Sequence, residues 1–132
     1  MKNHIPIFIL ITLLLSLILI FSCDNELTEE EEKARLDDME QEISDLISDI
    51  SCSDSTDCKY IGFGSKPCGG FWKYLVYSSS HVDTVVLQEK VRKYNEYNKS
   101  LNTKYGWISD CSLPPIPIVK CIEGECIDIN TL

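Results

Sequence analysis

Histidine is nearly absent from this chain: there are two in 132 residues, and only His81 lies beyond residue 22. General-base chemistry near neutral pH draws most often on histidine, and no G-x-S-x-G motif stands near His81 to offer it a nucleophile. His81 itself falls in "SSSHVD", at an expected helix start where a polar cap residue suits the position. Tight C-x-x-C pairs are lacking too. Cys52 and Cys58 are six apart and Cys121 and Cys126 five apart, which is poor spacing for structural zinc. No basic stripe is present, which argues against nucleic acid as a partner. The carboxylates of the C-terminal two thirds are scattered among lysines, unlike the facing pair that a glycosidase uses. The expectation is a protein that is not an enzyme and has no cofactor and no metal.

What the chain does have begins with grease. "IPIFILITLLLSLILIF" (Ile5 to Phe21) follows the single positive charge of Lys2, as in an export signal. Ile20, Phe21, Ser22 and Cys23 resemble a bacterial lipobox, in which the signal is cut before a cysteine that is acylated. The resemblance implies residues 1–22 as a lipoprotein signal peptide and Cys23 as the lipid attachment that holds the protein on a membrane. One acyl chain binds only marginally, whereas two or more hold durably. An uncleaved anchor is the competing reading of the same run. Acidic residues directly after Cys23 resemble a surface-export signal of some bacterial lipoproteins, and Asp24 alone an inner-membrane retention signal of others. The expected location is the bacterial cell envelope, lipid-anchored at the outer membrane on its surface or periplasmic face.

Charge divides the rest. Residues 24–50 carry twelve acids against Lys33 and Arg35, a net of −10, while residues 51–132 hold nine of each sign and are formally neutral. Such a segment is repelled by anionic headgroups and is expected to hold the domain off the membrane. Three parts are therefore expected: 1–22, an acidic tether with an amphipathic helix at 23–50, and a six-cysteine domain at 51–132. Thr28 with Glu31 fits a capping box, and Leu36, Met39, Ile43, Leu46 and Ile50 form one apolar stripe on a helix ending near Ser51. That stripe docks on the domain or forms a dimer.

Cys52, Cys58, Cys68, Cys111, Cys121 and Cys126 are an even set behind an export signal, hence a disulfide framework. Three bridges answer the small core available at this length. The expected pairing joins Cys68 to Cys111 and leaves the two close pairs to bond locally or to each other. "CKYIGFG" (Cys58 to Gly64) and "FWKYLVYS" (Phe71 to Ser78) suit short strands around the turn "GSKPCGG". A helix follows, capped by Ser80 or Asp83 and stopped by Gly106, with Leu87, Val91, Tyr94, Leu101 and Tyr105 as its stripe, widened by Val86 and Tyr97. "VKCIEGECIDI" reads as a hairpin turning at Glu123-Gly124, with Cys121 opposite Cys126 and with Ile118, Ile122, Ile127 and Ile129 on the other face. The fold class expected is α+β: a small disulfide-stapled domain with short antiparallel strands, one packed helix, a C-terminal β-hairpin and an N-terminal acidic helix.

Tyr60, Phe63, Phe71, Trp72, Tyr74 and Tyr77 make the strand region aromatic and are the candidate contact residues of a binding or interaction module for an unknown protein or glycan. The alternative is a protease inhibitor presenting "CSLPPIPIVKC" (Cys111 to Cys121), a proline-stiffened loop with a cysteine at each end. "PCGGFWKYLVYS", with "SDC", "PP" and "CIEGEC", resembles a family of small exported six-cysteine bacterial proteins sharing a CGGP-x-x-YL-x-YS core, with Phe71 where that family usually has proline. The resemblance spans about Cys52 to Ile127 and implies fold boundaries but no activity.

Overall fold

A computed structural model describes residues 26–131; the expected signal peptide at 1–22 and the expected lipid attachment at Cys23 lie outside the described residues. Helix α1 (Glu29–Leu46) starts at the expected capping box. Thr28 N–H donates to Glu31 Oε2 at 2.8 Å and Glu31 N–H donates to Thr28 Oγ1 at 3.3 Å. Four glutamates crowd its first turn, where the helix dipole favours them. It stops earlier than its stripe suggests. Ser48 Oγ donates to Asp45 O and Asp49 takes the Ser51 N–H, so local side-chain bonds replace the helical ladder. Ile50, expected in the helix, instead gives its carbonyl to Cys126 N–H at 2.8 Å.

Strands β1 (Cys58–Phe63) and β2 (Lys73–Ser78) pair antiparallel, with Tyr60 opposite Val76 and Gly62 opposite Tyr74. The second strand begins two residues later than expected: Phe71 and Trp72 precede the ladder, and Trp72 N–H closes the hairpin on Phe63 O. Helix α2 (Thr84–Tyr105) is capped by Asp83, which accepts from Val85 and Val86 N–H, and ends at Gly106 in the left-handed region, φ 63°. A glycine is the residue that adopts that conformation without cost. Of its expected stripe, Leu87, Val91, Tyr94 and Leu101 are buried, Tyr97 and Tyr105 are half-buried, and Val86, in the first turn, is 42 % exposed. Strands β3 (Val119–Ile122) and β4 (Glu125–Asp128) form the expected hairpin, Cys121 opposite Cys126, with φ 54° at Glu123 and 84° at Gly124. Both centres at positive φ define the tight two-residue turn whose twist suits flanking strands. A 3-10 turn (Ile129–Thr131) follows. Ile118, expected on an apolar face with Ile122, Ile127 and Ile129, is 52 % exposed, while the other three are half-buried.

The core is one cluster: Leu36 and Ile43 of α1, Phe63 and Tyr77 of the first hairpin, and Leu87, Val91, Tyr94 and Leu101 of α2. Phe63 stacks on Tyr94 with centroids 4.0 Å apart. The two helices run antiparallel, since Glu42 meets Lys90, Glu40 meets Tyr94, and Glu32 meets Lys104. The acidic helix thus docks rather than standing off as a tether. Lys73, Lys90 and Lys104 reach Glu40, Glu42 and Glu32 across that interface. The core therefore runs across the division expected at residue 50. Among the described residues the architecture is a small α+β disulfide-rich domain of two helices and two antiparallel hairpins.

Three disulfides close it: Cys68–Cys111, as expected, with Cys52–Cys121 and Cys58–Cys126, so the two close pairs bond to each other. The latter two fix β3–β4 against the Cys58 and Ser78 end of the first hairpin. The first fixes residues 111–118 at its turn end.

Candidate binding surface

Three asparagines one helical turn apart hold the first hairpin against α2. Asn95 Oδ1 accepts Gly64 N–H at 2.7 Å and its Nδ2 donates to Gly62 O; Asn98 Oδ1 accepts Ser65 N–H at 2.7 Å; Asn102 Nδ2 donates to Ser65 O at 2.6 Å. Amide side chains satisfy the backbone donors and acceptors that the strand loses where the ladder ends. The loop 64–72 is thereby rigid at its root.

Lys66 locks the loop from the other side. It is 6 % exposed, and its ammonium donates to Asp110 Oδ1 at 2.8 Å, Ser112 O at 2.6 Å and Ser112 Oγ at 3.2 Å, with the Trp72 ring 4.9 Å away. A buried ammonium needs three acceptors, and this one has them. The hydrogen bond from Lys66, helped by that from Ser112 Oγ, holds the Asp110 carboxyl down at about 2. Lys66 and the Cys68–Cys111 bridge thus fasten the start of the proline segment to the hairpin turn. Its end is tied by Asn130 Nδ2 to Ile116 O and by Ile118 N–H to Asp128. Between them Pro117 is buried, while Leu113 is 72 % and Ile116 62 % exposed.

The six candidate aromatics divide. Phe63 and Tyr77 are core side chains and face no ligand. Tyr60, Phe71 and Trp72 are exposed, and Tyr74 is half-buried between two of them: its ring meets Tyr60 edge-on at 5.5 Å and Phe71 at 5.9 Å. Tyr60 and Tyr74 lie on the hairpin face opposite the one that carries Phe63, while Phe71 reaches the edge beside α2. Gly62 makes room for it, since a Cβ there would overlap the Phe71 ring. Phe71 stands between two clefts. One of about 490 Å³ is lined by Lys66, Gly69, Gly70, Phe71, Lys99 and Thr103. The other, about 280 Å³, is lined by Gly62, Phe71, Val91, Arg92 and Glu96 among others.

His81 Nδ1 lies 3.2 Å from Asp49 Oδ2 with both side chains exposed, and among the described residues no hydroxyl is hydrogen-bonded to its other nitrogen. The sulfurs of Cys52, Cys58 and Cys126 lie within 4.8 Å of one another, but all are tied in disulfides and offer no thiolate. No helix of the described residues is long and apolar enough to cross a membrane. Sequence reasoning passed over Lys66, Asp110 and the asparagine row. The asparagines at 95, 98 and 102 carried a signal: poor helix formers recurring on one helical face within a long helix. Comparison with known proteins finds no family model, no curated protein and no solved structure that matches this chain.

Proposed function

We propose that this protein is an extracytoplasmic, lipid-anchored lipoprotein of the bacterial cell envelope that acts as a non-enzymatic binding module for a protein or a glycan. One observation carries the binding reading: Phe71 and Trp72 are solvent-facing yet held rigid, on a loop pinned by the asparagine row, Lys66 and a disulfide, with a cleft on each side of Phe71. Rigid exposed aromatics contribute contact area without losing side-chain freedom on binding. Lipid on Cys23 and an outer-membrane location are part of the same proposal, on the strength of the Ile20-to-Cys23 resemblance and the apolar run before it. So is the kinship with the six-cysteine family sharing the "CGG…YLVYS" core.

A second reading, protease inhibition, is favoured by the exposure of Leu113 and Ile116 on a segment stiffened by prolines and fastened at both ends.

The test presents residues 26–132 to glycan arrays, protease panels and hydrolase panels; a fragment starting at Ser51 would strip Leu36 and Ile43 from the core. Saturable binding that is lost in Phe71→Ala or Trp72→Ala with the fold retained supports the module. Protease inhibition abolished by Leu113→Asp favours the second reading. Turnover by the pure protein overturns both.

A further inference from the structure

The antiparallel helices bring the start of α1 and the end of α2 to one end of the molecule. There Trp107 Nε1–H donates to Glu29 Oε1 at 3.0 Å, Lys33 lies 5.2 Å from the Trp107 ring centre, and Lys104 pairs with Glu26 and Glu32. Next to Trp107, Ile108 is 89 % exposed, more than any other large apolar side chain among the described residues, and Leu27, just before α1 at the same end, is 39 % exposed. Single exposed apolar residues are common on soluble proteins. The position of these two is what distinguishes them. Leu27 is four residues after Cys23, which limits it to about 14 Å from that cysteine. Because α1 is docked, no stalk intervenes between the anchor and the body of the domain.

We propose that this end of the domain rests on the lipid surface, with Ile108 and Leu27 entering the headgroup boundary and Trp107 lying at its level. The inference rests on the membrane anchoring proposed above. Tryptophan beside aliphatic side chains suits the membrane interface, where one edge of the ring is wet and the other apolar. Charge selects the surface: Glu26 and the four glutamates of the first turn, exposed Glu30 among them, outnumber Lys33 and Lys104, so this end stays net negative, an anionic surface is disfavoured and a zwitterionic one fits. The opposite end carries Val85, 73 % exposed at the start of α2, which is equally apolar but on the far side from the anchor.

The experiment uses the full chain in phosphatidylethanolamine vesicles whose acyl chains are brominated close to the headgroup. Trp72→Phe leaves Trp107 as the reporter, and the mass of the N-terminal peptide reports acylation of Cys23. Quenching of Trp107 by at least half, reduced several-fold by Ile108→Asp and unchanged by Val85→Asp, is the expected result. Acylated chain whose Trp107 is indifferent to brominated lipid overturns the inference and leaves the anchor standing. Chain without acyl groups that still shows the Ile108-dependent quenching supports the inference, with residues 5–21 as the membrane hold, and overturns acylation. Equal loss from Ile108→Asp and Val85→Asp overturns the orientation.

Discussion

Hairpin β1–β2 places Phe63 and Tyr77 in the core cluster and packs Ile61 and Leu75 against it, whereas hairpin β3–β4 contributes nothing to that cluster. Two disulfides join the second hairpin to the segment before β1 and to β1 itself, and Cys126 is its one buried apolar residue. The molecule therefore contains two regions of the same local structure, one held by apolar packing and one by covalent bonds. A domain this small has enough core for two helices and one hairpin, and the second hairpin is retained by removing alternatives from the unfolded chain.

Removing both outer bridges should break that contrast most severely. Cys52–Cys121 and Cys58–Cys126 cross in sequence, so with the other in place each closes a ring of only about 13 residues and its loss costs about 3 kcal/mol. Losing the second opens a long loop and costs about 4 kcal/mol more. Urea melts of the single-bridge and double-bridge alanine variants check this, and amide exchange should show β3–β4 exchanging freely while α1 and α2 stay protected. Next in size, Leu87→Ala in the packed region should cost about 3–5 kcal/mol and unfold helices and first hairpin together, since Leu87 is fully buried; circular dichroism during a urea melt measures it.

Lys66→Met sharpens the comparison at the boundary between the two regions. It leaves the Ser112 carbonyl without its donor and should cost about 1–3 kcal/mol. Asp110 is depressed to about 2 in the folded state, so its contribution is complete above the ordinary carboxylate range and is lost as pH falls from about 4 through about 2. Trp72 fluorescence in a Trp107→Phe chain should follow that window, and adding Lys66→Met should remove most of it. The smallest effect is a gain: Glu123→Asn relieves a left-handed backbone at the second hairpin's turn and should add less than about 1 kcal/mol, read from the urea midpoint.

The features legible in the sequence are those set by short-range chemistry. Thr28 and Glu31 are three residues apart, Asp83 and Gly106 bracket a periodic run, and Glu123-Gly124 separates two alternating strands; each decides its own structure. The docking of α1 was legible as a stripe but not as a choice, because Leu36 and Ile43 fit a dimer as well as a domain. Lys66 was not legible. Its acceptors at Asp110 and Ser112 lie 44 and 46 residues away, and nothing in "GSKPCGG" distinguishes a buried ammonium from a solvated one. The aromatic row was legible in composition, but which rings faced out depended on the strand register that put Phe63 and Tyr77 on the α2 side.

Every cysteine bridge lies C-terminal to α1, the first half-cystine being Cys52. Among the described residues, tension applied from the N-terminal side therefore meets α1 first, the one helix there outside the covalent loops. Between Cys52 and Cys126 the cross-links cap how far the chain can lengthen, so the body behaves as a nearly inextensible block. Residues 26–51 can extend to about 90 Å before any disulfide bears load. The acidic helix is thus a mechanical fuse, folded on the core at rest and extensible under pull, and its three lysine pairs and two buried apolar side chains set the force at which it lets go.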